Sequence, residues 1–265
     1  MSQTTLAKPP VDVSFSYSLQ SSEPWVSSRG GYDKQDLKLG QSTQGAMEAF
    51  HVRVTPNGGG RTGAWHTDYH PFHFLFLTKG SGSLTTEKGN VVQLKPWTCV
   101  HQAGLFSRNR LEFSNDFEAI EIYASGKHPK SGGLINDDAQ ELTVTHETAD
   151  SYVTGDGPRR FFGYRDLKTT KTTDRRVHIH VVKATIPMDT GTGWHVHTMS
   201  QQFYVIQGWA DVSTSHNSLI RMVPIDAMCL GAGTPHDVSR FSPDYGVLEM
   251  CLPADYDTSE VKAPR

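Results

Sequence analysis

Three histidines and one glutamine in the second half of the chain have the types and spacing of a metal site. His195 and His197 are separated by one residue, Gln201 follows a short turn, and His236 follows a turn of Gly, Thr and Pro. Strand residues i and i+2 point to one face, about 6.5–7 Å apart, so the paired imidazoles can meet one ion. We therefore expect one divalent metal ion per chain, with space left for water or substrate.

Two segments around these residues, GTGWHVHTMSQQFYVIQG (191–208) and LGAGTPHD (230–237), resemble the two motifs of the cupin superfamily. The first motif is matched by Gly191 or Gly193, His195, His197, Gln201 and Gly208. The second motif is matched, with its proline shifted, by Gly231, Gly233, Pro235 and His236. The resemblance implies an all-β fold of cupin barrels, also described as jelly rolls or double-stranded β-helices. It also implies that the four residues named above bind the metal.

Gln201 stands where many cupins have glutamate. Three imidazoles and a carboxamide are all neutral, so the full charge of a divalent ion remains at the site. We expect such a site to favour an anionic bidentate ligand, such as an enolate, a catecholate or a hydroxy acid. Iron(II) is the favoured metal, but the ligand types also suit Mn, Ni, Zn or Cu.

Landmarks of the metal-binding half occur earlier in the chain, in the same order. Trp65-His66, Gly80 and Cys99 return 128 to 130 residues later as Trp194-His195, Gly208 and Cys229. Such a constant offset predicts two tandem cupin barrels, a bicupin. The predicted division is an N-terminal arm (1–45), a first cupin (46–125), a linker (126–159) and a second cupin (160–256). The arm is interpreted as a surface segment; the alternative is a strand that pairs with a neighbouring domain or subunit.

The first copy keeps only part of the ligand pattern. His66, Asp68 and His73 align with the ligands of the second copy, but Phe106 stands at the position of His236. One interpretation is a second, weak site of two histidines and one carboxylate. The other, which we favour, is a site that has lost its metal and left a packed barrel.

Several residues near the predicted site are candidates for substrate binding or proton transfer. Arg176, His178 and His180 alternate along one strand, and their shared face either lines the barrel or is exposed. Phe203 is expected to face the cavity by alternation from Gln201. Arg176, His180 and Phe203 are the predicted substrate-binding residues, and His178 or Tyr204 could act as a base.

Two glutamates lie at equivalent positions of late strands in the two copies. Glu121 and Glu249 could each be a buried partner that orients a ligand histidine. The alternative is that both face solvent.

Composition limits the classes of partner. The formal net charge of −3 argues against nucleic acid, and no apolar run is long enough to cross a membrane. The N-terminus has no apolar signal region, and the three cysteines lie in apolar strand-like runs, so we expect a cytoplasmic location with reduced thiols. The expected partner is a small-molecule substrate, and a homodimer is one assembly that the sequence allows.

The sequence supports three functional hypotheses. The first is an iron(II)-dependent dioxygenase that acts on a small enolisable or phenolic anion. The second is a redox-neutral Lewis-acid enzyme, an isomerase, lyase or cyclase acting on a keto-sugar acid or a similar compound. The third is a cupin that binds a small molecule without turnover.

Overall fold

The computed structural model describes residues 13–19, 22–28, 31–55, 65–68, 70–103, 107–124, 142–186 and 191–264. The strands in these ranges are β1 (Ser16–Ser18), β2 (Trp25–Ser27), β3 (Tyr32–Asp36), β4 (Met47–Val54), β5 (His66–Asp68), β6 (Phe72–Lys79), β7 (Gly82–Thr86), β8 (Val91–Leu94), β9 (Cys99–Ala103), β10 (Ser107–Phe113), β11 (Glu118–Ala124), β12 (Thr143–Thr145), β13 (Val153–Thr154), β14 (Phe162–Asp166), β15 (His178–Ala184), β16 (His195–His197), β17 (Ser200–Gln207), β18 (Ala210–Thr214), β19 (Ile220–Met222), β20 (Ala227–Leu230), β21 (His236–Phe241), β22 (Gly246–Leu252) and β23 (Thr258–Glu260).

Helical structure in the described ranges is short. The α-helices are α1 (Leu39–Ser42) and α2 (Thr169–Thr172), and the 3-10 helices are Ala149–Ser151 and Gly157–Arg159. No helix in these ranges has the length and apolar character that crossing a bilayer requires. The predicted all-β fold class is confirmed.

Chain contacts divide the molecule into two compact units. One unit comprises Ser21–Thr148 with Thr172–Asp174. The other comprises Met1–Gln20, Ala149–Lys171 and Arg175–Arg265. We refer to them as the N-terminal and C-terminal units.

The C-terminal unit consists of two antiparallel sheets. The larger has the strand order β1-β20-β17-β22-β15-β14-β13, and the smaller has the order β19-β18-β21-β16-β23. Alternate residues of the strands point between the sheets and form one apolar cluster, to which Val205 and Val247 contribute from the larger sheet and Val212 from the smaller. This core holds the two sheets together because it removes apolar surface from water.

The N-terminal unit has the same plan. Its sheets have the orders β12-β9-β6-β11-β4-β3-β2 and β5-β10-β7-β8. Leu75 and Leu77 of the larger sheet pack in one cluster with Leu84 and Leu111 of the smaller sheet.

A turn conserved between the units shows the repeat at atomic level. Gly80 and Gly208 have φ angles of 76° and 67°, a region that favours glycine. The following backbone N–H donates to Ser114 Oγ in one unit, at 2.8 Å, and to Ser242 Oγ in the other, at 2.9 Å. The landmark glycines of the sequence repeat therefore perform the same structural task in each unit.

The sheets extend beyond the predicted ranges. Strands β1, β2 and β3 lie within 1–45, the predicted arm, and β13 lies within 126–159, the predicted linker. Strand β1 pairs with β20, and β2 and β3 join the sheet of β4. Many polar side chains in these segments favoured a surface arm and a linker in the sequence, with a pairing strand as the alternative for residues 1–45.

Candidate metal centre

The predicted histidine triad converges inside the C-terminal unit. Strands β16 and β21 are antiparallel neighbours whose register places His195 directly opposite His236. His197 follows one strand repeat after His195 on the same face. The ring centroids are 4.2 Å apart for His195 and His236, 5.0 Å for His195 and His197, and 5.2 Å for His197 and His236. One potential ligand atom from each side chain lies within 4.8 Å of the other two.

Backbone carbonyls orient two of the three imidazoles. His195 Nδ1 lies 2.7 Å from the carbonyl oxygen of Gly193, and His236 Nδ1 lies 2.9 Å from that of Thr234. A carbonyl oxygen can only accept a hydrogen bond, so Nδ1 carries the proton in both rings. Each Nε2 atom therefore keeps a lone pair that is available to a metal ion.

The third imidazole is held by the C-terminal strand. His197 Nδ1 lies 2.7 Å from Thr258 Oγ1, and β23 pairs with β16 along its length. Tyr256 contacts the edge of the His197 ring, with the centroids 5.5 Å apart. This segment lies at or beyond residue 256, where the predicted cupin ends, so its contribution was not recognised from the sequence.

Gln201 provides the test of whether these residues fit a metal. It is buried on β17, its Nε2 lies 3.3 Å from His236 Nε2, and its Oε1 has no hydrogen-bond partner among the described residues. Rotation of the amide by half a turn exchanges the two atoms and turns Oε1 towards the imidazoles. A divalent cation would satisfy both this orphaned oxygen and the imidazole lone pairs. The donor set therefore fits a metal ion.

Burial keeps the triad uncharged. Desolvation lowers the pKa of His197 to about 4 and that of His236 to about 3, and it also lowers the pKa of His195. All three rings are neutral at physiological pH, which is the protonation state that a metal ligand requires.

The triad lies in a cavity of about 490 Å³ in the C-terminal unit. Aromatic side chains form much of its wall: Phe162, Tyr164, Phe203, Tyr245 and Tyr256. Its charged lining residues are Asp156, Arg159 and Glu249. The cavity thus combines an apolar wall with a few polar groups, which is typical of a small-molecule site.

Glu249 and His180 form a pair on neighbouring strands of the cavity wall. His180 Nε2 lies 3.4 Å from Glu249 Oε2, and β15 and β22 place the two residues directly opposite each other. Burial opposes ionisation of Glu249, but the interaction with His180 outweighs it and holds the pKa of the carboxyl group at about 2. Glu249 is therefore an anion in the cavity wall, with the His180 imidazole beside it.

Not all predicted substrate and base residues reach this cavity. Phe203 and His180 line it. His178, the first residue of β15, is not among the lining residues, and Arg176 lies in the bend before this strand begins. Tyr204 is fully buried and points to the opposite face of β17 from Phe203, so it does not line the cavity either.

The predicted weak site in the N-terminal unit stays a prediction. His66 and Asp68 lie on β5, but their side chains, like Phe106, are outside the described residues. His73 stacks on Tyr123 with a centroid distance of 4.6 Å, and its Nε2 lies 3.7 Å from Glu121 Oε1.

Three residues of the centre were missed by sequence reasoning: Arg159, Tyr256 and Thr258. Each lies outside the recognised motifs, and a single cation, phenol or hydroxyl in a polar segment gives no local signal. Their places in the centre depend on strand pairing across the fold.

Comparison with known proteins supports the fold. No family model and no curated relative matches the sequence. Among solved structures, protein Ylba from E. coli is similar with a TM-score of 0.67, 13% identity and 97% of each chain covered. Oxalate decarboxylase from Lactobacillus farciminis, in a formate complex, has a TM-score of 0.65 and 9% identity, covering 94% of this chain and 89% of that one. A mutant of Bacillus subtilis oxalate decarboxylase has a TM-score of 0.60 and 12% identity, covering 92% and 79%. Identities this low establish the fold alone, and the chain has the all-β cupin fold.

Proposed function

We propose that the protein is a metal-dependent enzyme that converts a small organic anion in the cavity of the C-terminal unit. His195, His197, His236 and the carboxamide oxygen of Gln201 would hold one divalent ion. The observation that carries the proposal is the meeting of three neutral imidazoles, within 4.8 Å of one another, in a cavity of about 490 Å³.

A bound divalent ion would supply Lewis acidity and, as iron(II), an electron source for reaction with dioxygen. The neutral ligands leave its charge uncompensated, which supports an anionic substrate. Phe162, Phe203 and Tyr245 line the cavity and would exclude water from the reacting atoms. Their flat rings also suit an enolate or a phenolate.

Glu249 is the residue best placed to accept a proton. It is ionised, it lines the cavity, and His180 Nε2 lies 3.4 Å from its Oε2 atom. A substrate that enters as a neutral enol, phenol or hydroxy acid would donate a hydrogen bond to Glu249, and a divalent ion held by the triad would lower the pKa of the substrate hydroxyl so that its proton can pass to the carboxylate. His180 would orient the carboxylate and stabilise its charge.

The reaction we propose is oxygenation, so the first test is oxygen consumption. Protein prepared without metal would be loaded anaerobically with iron(II) and exposed to dioxygen with diketones, phenols and hydroxy acids. Stoichiometric oxygen uptake with one substrate class, lost in His236→Ala, is the expected result. Iron bound at one ion per chain without oxygen uptake for any compound would contradict oxygenation.

The pairing of Glu249 and His180 also favours a second candidate, a redox-neutral isomerase, lyase or cyclase. Such a reaction needs an internal base and no dioxygen. Turnover of a keto acid by the zinc or nickel protein under nitrogen, lost in Glu249→Gln, would support it over oxygenation. Thermal stabilisation by a ligand with no turnover in either assay would instead indicate a binding protein.

A further inference from the structure

Arg159 is the cation that lines the cavity of the metal centre. It ends the 3-10 helix Gly157–Arg159, two residues short of the start of β14, and its side chain is half-buried. His195, His197 and His236 line the same cavity. Arg159 and the metal ligands therefore face one common space.

No described residue makes an ion pair or a side-chain hydrogen bond with Arg159 within 4.0 Å. Asp156 also lines the cavity, but it is exposed and is not paired with this guanidinium. Glu249, the other acid of the cavity, is held by His180. A partly buried guanidinium has five N–H donors and loses solvation, so it favours a carboxylate that accepts two hydrogen bonds.

We propose that Arg159 binds a carboxylate of the substrate while another part of the same molecule occupies the metal centre. This inference rests on the proposed function and narrows its substrate class. The substrate is an organic acid with two separate anionic recognition points, a chelating enol, phenol or hydroxy acid group and a distal carboxylate. The cavity volume of about 490 Å³ restricts it to a small molecule.

Arg159 takes the role that the sequence assigned to Arg176. Arg176 precedes β15 and does not line the cavity. The cation that does line it comes from a helical turn between β13 and β14, within the predicted linker. The connecting segment would thus bind the distal carboxylate of the substrate, and residues of the sheet strands would bind its chelating groups through the metal ion.

The test compares ligands that differ only in the distal charge. Zinc-loaded protein, which avoids redox chemistry, would be titrated by calorimetry with protocatechuate, homoprotocatechuate and malate. Each acid would be compared with the carboxamide of its distal carboxyl group. The variants are Arg159→Gln, Arg159→Lys and the control Arg160→Gln, an exposed neighbour that does not line the cavity.

We expect at least one acid to bind about 10-fold more tightly than its carboxamide in the native protein and in Arg160→Gln. Arg159→Gln should bind one zinc ion like the native protein but reduce this ratio to about one, and Arg159→Lys should restore part of it. A ratio of about one for all three pairs in the native protein, or a ratio unchanged in Arg159→Gln, would overturn the proposal.

Failure of the proposed function would look different. Native protein that takes up no zinc, or that binds none of the six compounds more tightly with zinc than without it, would contradict the metal centre. The same result would also contradict the carboxylate subsite, because that proposal depends on the metal centre. Zinc uptake and metal-dependent binding without charge preference would contradict the Arg159 subsite alone.

Discussion

The Nδ1 atom of His197 lies 2.7 Å from the hydroxyl oxygen of Thr258, a residue 61 positions further along the chain. The contact is possible because β23 pairs with β16 and places Thr258 opposite His197. It ties the orientation of a candidate metal ligand to the last strand of the C-terminal unit.

Thr258→Val should weaken metal binding without removing a ligand. Valine keeps the shape of threonine but cannot hydrogen-bond His197 Nδ1, so the ring loses its fixed orientation. We expect zinc affinity, measured by competition with a chelator, to fall about 10-fold or more. Thr258→Ser should restore most of it, whereas equal affinities of the valine and native proteins would show that the contact does not position the ring.

Gln201→Glu should strengthen metal binding and weaken the binding of anions to the metal-loaded protein. A carboxylate is a stronger donor than a carboxamide and cancels one positive charge, so we expect zinc to bind about 10-fold more tightly. Affinity of the zinc protein for catecholate should fall by a similar factor. The matched variant Gln201→Met, which has no oxygen donor, should bind zinc less tightly than the native protein. The same zinc affinity in all three proteins would exclude residue 201 from the ligands.

Gly208→Ala should destabilise the C-terminal unit. A Cβ atom there would lie 2.8 Å from the Cα and N atoms of Tyr245 and would clash with Ser242 Oγ, at a backbone φ of 67°. We expect a loss of about 2–5 kcal/mol in unfolding free energy, measured with denaturant. Gly45→Ala has a similar φ of 80° but meets nothing within 4 Å, so it should cost only about 1–2 kcal/mol. Equal losses of unfolding free energy in the two variants would mean that the structure relieves the close contact at Gly208 without destabilisation.

Asp211→Asn should lower stability in a manner that depends on pH. The side chain of Asp211 accepts hydrogen bonds from Arg221 at 2.7 Å and from Arg240 at 3.1 Å. The bond from Arg221 is the main reason why the pKa of Asp211 is lowered below its usual 3.8. A depressed carboxyl pKa stabilises the fold above that usual value, and the contribution is lost as the pH falls through the folded-state pKa.

Thermal unfolding from pH 7 to pH 3 measures this effect. We expect the Tm of Asp211→Asn to be about 3–6 °C below that of the native protein at pH 7, with the gap closing towards pH 3. Arg221→Gln should lower the Tm less than Asp211→Asn does, because Arg240 still pairs with the carboxylate. A gap that stays constant with pH would show that the charge of Asp211 does not contribute.

Local patterns in the sequence predicted the all-β fold class and the residues of the histidine triad. The alternation of side chains along a strand is set by the backbone, so His195 and His197 had to share one face once that segment was strand. Positive φ angles exclude most other residues, and Gly80 and Gly208 therefore stand at the same kind of turn in the two units. Each of these patterns is formed by residues close together in sequence, whereas the pairing of β16 with β21 brings His236 opposite His195.

Only the tertiary structure decided which other residues reach the cavity. Thr258 and Arg159 belong to segments without a motif, and strand pairing or chain path brings them to the site. Alternation showed that Tyr204 and Phe203 point in opposite directions, but only the packed sheets show which face encloses the cavity. Sequence determines local direction through backbone geometry. Which residues a strand face contacts depends on the register between strands that are far apart in sequence. The burial of apolar surface over the whole unit determines that register.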